Sequence, residues 1–80
     1  MNTEIKPFYK LLLSNVSGKV KWTDARDGDG IVKDAMGNEY YFESSSSKDY
    51  DFKGKDLNIV FQIVNVPQYG PMAFNVKSLE

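Results

Sequence analysis

Eighty residues with 41% hydrophobic side chains suffice for one small core and are too few for an enzyme with a deep enclosed pocket. Histidine and cysteine are both absent, which removes the commonest general base, the usual zinc ligands and any disulfide framework. Ten basic and eleven acidic residues give a net charge of -1, so neither attraction to nor repulsion from a polyphosphate is built in globally, and partners have to be read from local patches.

Residues 1–17 stand apart from the rest. A polar start is followed by Pro7, Phe8, Tyr9, Lys10, Leu11, Leu12 and Leu13 before the chain turns polar again at Ser14. Pro7 suits the first turn of a short helix, and Phe8, Leu11 and Leu12 have the i, i+3, i+4 spacing of one apolar face; an added edge strand is the alternative. The segment is read as an N-terminal extension that covers one open end of the core, or as a partner-binding or dimer surface formed by Phe8, Tyr9 and the leucines.

The domain proper is expected over residues 18–80. From Gly18 the period becomes two, pointing Val20 and Trp22 one way and Lys19 and Lys21 the other unless a bulge intervenes. The hairpin is expected to expose Trp22 on the side opposite Val20. The polar gap at 23–28 carries turn residues, and Ile31 and Val32 resume a β-branched strand. Ala35, Met36, Gly37 and Asn38 read as a turn, with Gly37 and Asn38 tolerant of positive φ, and residues 39–43 read as a third strand. The serine run at 44–47 and the polar stretch to Asp56 read as a crossover loop. Leu57, Ile59, Phe61 and Ile63 then alternate with Asn58, Val60, Gln62 and Val64 in a long strand. Residues 65–71, with two prolines and a glycine, are expected to be a loop, and residues 72–76 the last strand. Five short strands with one longer crossover predict an all-β, five-stranded Greek-key barrel.

Gly18-Lys19-Val20-Lys21-Trp22, the Gly28 and Gly30 pair, Gly54, the strand at 57–63 and the closing Gly70-Pro71-Met72-Ala73-Phe74-Asn75-Val76 together resemble a bacterial cold-shock domain over residues 18–76. The resemblance implies a five-stranded OB-like barrel that binds single-stranded RNA and DNA, with rings of two ribonucleoprotein motifs stacking on bases. Those motifs are altered here. The family pattern Lys-Gly-Phe-Gly-Phe-Ile aligns with Asp27, Gly28, Asp29, Gly30, Ile31 and Val32, so a basic residue and a ring become acidic and a second ring becomes aliphatic. The pattern Val-Phe-Val-His-Phe aligns with Tyr40, Tyr41, Phe42, Glu43 and Ser44, which keeps one ring at Tyr41. Thr23 stands where a phenylalanine follows the tryptophan, and Trp22 itself is retained.

Stacking on a ring is worth about 1–3 kcal/mol per base, so the loss of three or four rings predicts weak binding with altered base preference. The nucleic-acid-binding set expected from the resemblance is Trp22, Tyr41, Lys19, Lys21, Arg26, Tyr50, Phe52 and Tyr69. Tyr41 also reads simply as an exposed cross-strand partner of Trp22 or Ile31, and Trp22 as a half-buried barrel lid. Asp27, Asp29 and Glu43 are either a solvated face or a surface that meets a basic protein partner. Gly28 and Gly30 are read as conformational, not as a phosphate cradle, because no Walker-type lysine or helix follows. An EF-hand count from Asp27 puts Ile31, Val32 and Asn38 at ligand positions and fails, so no metal is expected. Nothing points to a cofactor or a catalytic pair. No secretory leader or span of roughly 20 apolar residues is present in the sequence given, and a soluble cytoplasmic monomer is the expectation.

Overall fold

The computed structural model describes residues 6–23, 28–43 and 58–79. Arg26, Asp27, Tyr50, Phe52, Gly54 and the expected crossover lie outside the described residues. Five strands, β1 (Lys10–Thr23), β2 (Gly30–Asp34), β3 (Glu39–Phe42), β4 (Asn58–Val66) and β5 (Gly70–Ser78), form one antiparallel sheet in the order β3-β2-β1-β4-β5. The sheet curls into a half-barrel, consistent with an OB-like barrel, and brings its two end strands, β3 and β5, together.

β1 organises this sheet because it changes partner along its length. Its first part pairs with β4 alone, Gly18 and Lys19 pair with both β4 and β2, and Val20 to Thr23 pair with β2. Gly18 sits at the changeover, where a Cβ would run into the carbonyl oxygen of Lys33 and approach the Phe61 ring to 3.1 Å. The helical reading of the N-terminal segment is therefore replaced by the strand reading from Lys10 onward: Leu11 pairs with Val64 and Leu13 with Ile63. So short a helix is marginal by itself, and the ladder offered by β4 satisfies the backbone at no such disadvantage. Leu11, Leu12, Leu13 and Phe8 are exposed.

Alternation on both sides builds the main core. Val20, Val32, Phe42, Ile59, Phe61, Ile63, Ala73 and Val76 point inward and are buried, with Val16 and Tyr40 packed against them. In β4 the alternation stops at Ile63, because Val64 is buried as well. Val64, Val66, Met72 and Phe74 form a second cluster, onto which Tyr9 packs with its ring 6.0 Å from that of Phe74 and edge-on at 75°. Tyr9 thus covers apolar surface of this second cluster.

The expected loop at 65–71 is shorter than its prolines and glycine suggest. Val66 and Gly70 still pair, and the connection is Pro67, Gln68 and Tyr69, closed by the Tyr69 amide donating to the Val66 carbonyl at 3.0 Å. Proline at the second position and Gln68 at φ 74 in the third are the signature of a type II turn. Pro71 is accommodated because β5 ends the strand order, where a missing amide donor is tolerated. The β2–β3 turn is held by Asp34, whose carboxylate accepts from the backbone amides of Met36 and Asn38, both at 2.9 Å, and from the Asn38 side-chain amide at 3.0 Å. That side-chain bond, followed by the backbone ones, holds the Asp34 carboxyl below its ordinary value of 3.8.

Candidate nucleic-acid interface

The outer face of β1, β2 and β3 carries part of the expected set, namely Trp22, Tyr41, Lys19 and Lys21. Val20 lies opposite Val32, yet Trp22, not Lys21, lies opposite Ile31, so β1 has one extra residue here. This bulge breaks the strict alternation that would have put Val20 and Trp22 on one face. Val20 stays in the core while Trp22 joins Ile31 and Tyr41 in an outward cross-strand row, since Ile31 pairs with Tyr41. Trp22 is 43% and Tyr41 40% exposed, which leaves both rings accessible to solvent. The Tyr41 hydroxyl donates to Asp29 Oδ2 at 2.7 Å. Gly28 at φ 79 and Gly30, where a Cβ would strike the Trp22 carbonyl and the Phe42 ring, bring Asp29 to this position.

A second outward row lies beside the first, with Lys19 opposite Lys33 and Lys33 opposite Glu39. Lys21 reaches across to Glu39, Nζ to Oε2 at 2.6 Å, with both side chains nearly half exposed. Its charge is therefore locally neutralised, while Lys19 and Lys33 have no ion-pair partner among the described residues. Lys33 is absent from the sequence-derived set; its position two residues past Ile31 on the outward phase of the strand was the available signal.

Tyr41 also borders a groove of about 430 Å³ between the end of β3 and the β4–β5 hairpin. The buried side chains of Val66, Met72 and Phe74 line its depth, Tyr9, Tyr69 and Pro71 line its sides, and exposed Glu43 stands on its rim. Tyr69 is 78% exposed. The structure thus brings Trp22, Tyr41, Lys19, Lys21 and Asp29 onto one surface and places Glu43 and Tyr69 in the adjoining groove. Tyr9, absent from the expected nucleic-acid set and named only for a partner-binding surface, enters the groove by packing on the cluster of Val64, Val66, Met72 and Phe74.

No family model matches the chain, and no curated protein matches it. Among the described residues no group of three or more His, Cys, Asp or Glu side chains could hold a metal ion, and no helix is long and apolar enough to cross a membrane.

Proposed function

We propose that this chain is a cold-shock-like module, a Greek-key OB-like barrel that binds single-stranded RNA or DNA weakly, through Trp22 and Tyr41 with Lys19 and Lys33 meeting the backbone. The observation that carries this reading is the outward row of Trp22, Ile31 and Tyr41 beside Lys19 and Lys33, which have no ion-pair partner among the described residues. Rings on a sheet surface next to positive charge are the two components of a sequence-tolerant single-strand site. Two rings supply on the order of 2–6 kcal/mol of stacking before the cost of association, which places affinity in the weak range. The Asp29 carboxylate, which accepts from the Tyr41 hydroxyl, carries only acceptor oxygens, and beside Tyr41 it favours bases with an exocyclic amino group. Cytosine-rich strands are accordingly bound better than thymine-rich ones. In anisotropy titrations of a labelled single strand, Trp22→Ala should weaken binding by about tenfold or more, as loss of one stacking platform requires. An unchanged affinity would remove Trp22 from the site and with it this reading.

A second reading draws on Glu43, which has no ion-pair partner among the described residues and stands at the edge of an aromatic groove. Here the barrel is a protein-interaction module whose acidic and aromatic surface docks on a basic protein patch, for example in the transcription or translation machinery. Reversing Asp29 and Glu43 to Lys should then weaken binding to a basic protein probe, and undiminished binding would count against it.

A further inference from the structure

We infer that the groove between β3 and the β4–β5 hairpin is a docking site for a proline-rich segment in the polyproline II conformation that carries an arginine or lysine. This deepens the second reading of function and rests on it. The groove has an apolar depth made by Val66, Met72 and Phe74, flanked by Tyr9 and Tyr69. A polyproline II segment has three residues per turn, presents proline ridges that pack against aromatic faces, and leaves its carbonyls unbonded. The hydroxyls of Tyr9 and Tyr69 can donate to those carbonyls, whereas that of Tyr41 already donates to Asp29.

The walls are pre-formed, which lowers the cost of ordering on binding. Tyr9 is held edge-on between Phe8, with centroids 4.9 Å apart at 85°, and Phe74, at 6.0 Å and 75°. Tyr69 follows the Pro67–Gln68 turn, whose hydrogen bond and left-handed Gln68 fix its backbone. Charge selects the kind of segment. Glu43 is the charged side chain that lines the groove, so its end of the groove attracts a cation and repels a phosphate. Lys19 and Lys33 belong to the other outward row and do not line the groove. A nucleic-acid strand is therefore the poorer occupant here, and a cationic proline-rich peptide the better one.

The test uses the full chain and labelled peptides of about twelve residues, four turns of polyproline II, built from Pro-Pro-x repeats with a terminal arginine. One control replaces every proline with alanine at the same charge, a second replaces the arginine with glutamine, and polylysine serves as a probe of charge alone. The arginine peptide should saturate, and the alanine control and Tyr69→Ala should each weaken it by about tenfold, as loss of a buried anchor does. Glu43→Gln should weaken the arginine peptide by about threefold and leave the glutamine peptide unchanged, the size expected of an exposed ion pair. Tyr69 and Glu43 are exposed, so an unchanged melting temperature verifies that each variant is folded. Equal binding of the alanine control overturns the polyproline assignment. So does binding of polylysine without the proline peptide, which leaves the second reading of function standing. Binding of neither peptide nor polylysine overturns both.

Discussion

One extra residue, Lys21, sets the direction of Trp22. Because Val20 lies opposite Val32 and Trp22 opposite Ile31, the indole is turned out of the core, and Lys21 is left to bridge to Glu39. Deleting Lys21 aligns the two strands without a bulge and keeps Trp22 outward, so the emission maximum of the deletion variant should stay that of a half-exposed indole. A marked blue shift would show that Trp22 had moved into the core and that the pairing here is misassigned. The Lys21–Glu39 pair is exposed and contributes at most about 1 kcal/mol to stability. Glu39→Gln should therefore barely change the urea midpoint while freeing Lys21, so that single strands bind more tightly and the salt dependence steepens by about 0.7 in log–log slope, one further phosphate contact. A weaker or unchanged affinity would mean that Lys21 does not face the bound strand. Gly18→Ala forces a Cβ onto the Lys33 carbonyl where β1 changes partner, and should cost about 1–3 kcal/mol or more in urea unfolding. A variant as stable as the parent would contradict this close approach.

Between elements, the β2–β3 connection depends on one carboxylate. The Asp34 pKa is lowered in the folded chain relative to the ordinary 3.8, chiefly by the Asn38 side-chain hydrogen bond. A lowered folded pKa means the ionised form is favoured by folding, so this contribution is full above about the ordinary value and is lost as pH falls through the lower folded one. Amide exchange at Met36 and Asn38 should accelerate in that acid range, and Asp34→Asn should show fast exchange at neutral pH with no further acid step. Exchange insensitive to both would remove Asp34 from the turn. Elements with a clean period were legible in the chain: Ile59, Phe61 and Ile63 mark β4, and Gly37 with Asn38 marks the turn before β3. The end of β1 from Gly18 was legible too, but its first part, residues 10–17, was readable as a strand only as an alternative, because three consecutive leucines have no period and the partner strand lies some fifty residues away. The prolines overstated the 65–71 loop, since an edge strand tolerates Pro71.

At the scale of the molecule, the half-barrel joins residues that no sequence window connects. Tyr9, Tyr41, Glu43 and Tyr69 meet where β3 approaches β5, and Lys33 meets Lys19 only through the β1–β2 register. Trp22, Tyr41 and Asp29 were legible as candidate site residues from the motif positions they occupy; Lys33, and the place of Tyr9 in the groove, needed the fold. The result is two adjoining surfaces, one with rings beside Lys19 and Lys33, the other with rings beside Glu43. Single-strand binding at the first surface is tested most directly by titrating Trp22 fluorescence with oligo-dC, oligo-dT and mixed-sequence single-stranded RNA at low and moderate salt. Saturable quenching is predicted, stronger for oligo-dC than for oligo-dT, with a shallow log–log salt slope of about -1.4 for phosphate contacts by Lys19 and Lys33. A flat titration on a folded sample, or quenching indifferent to salt, would contradict it.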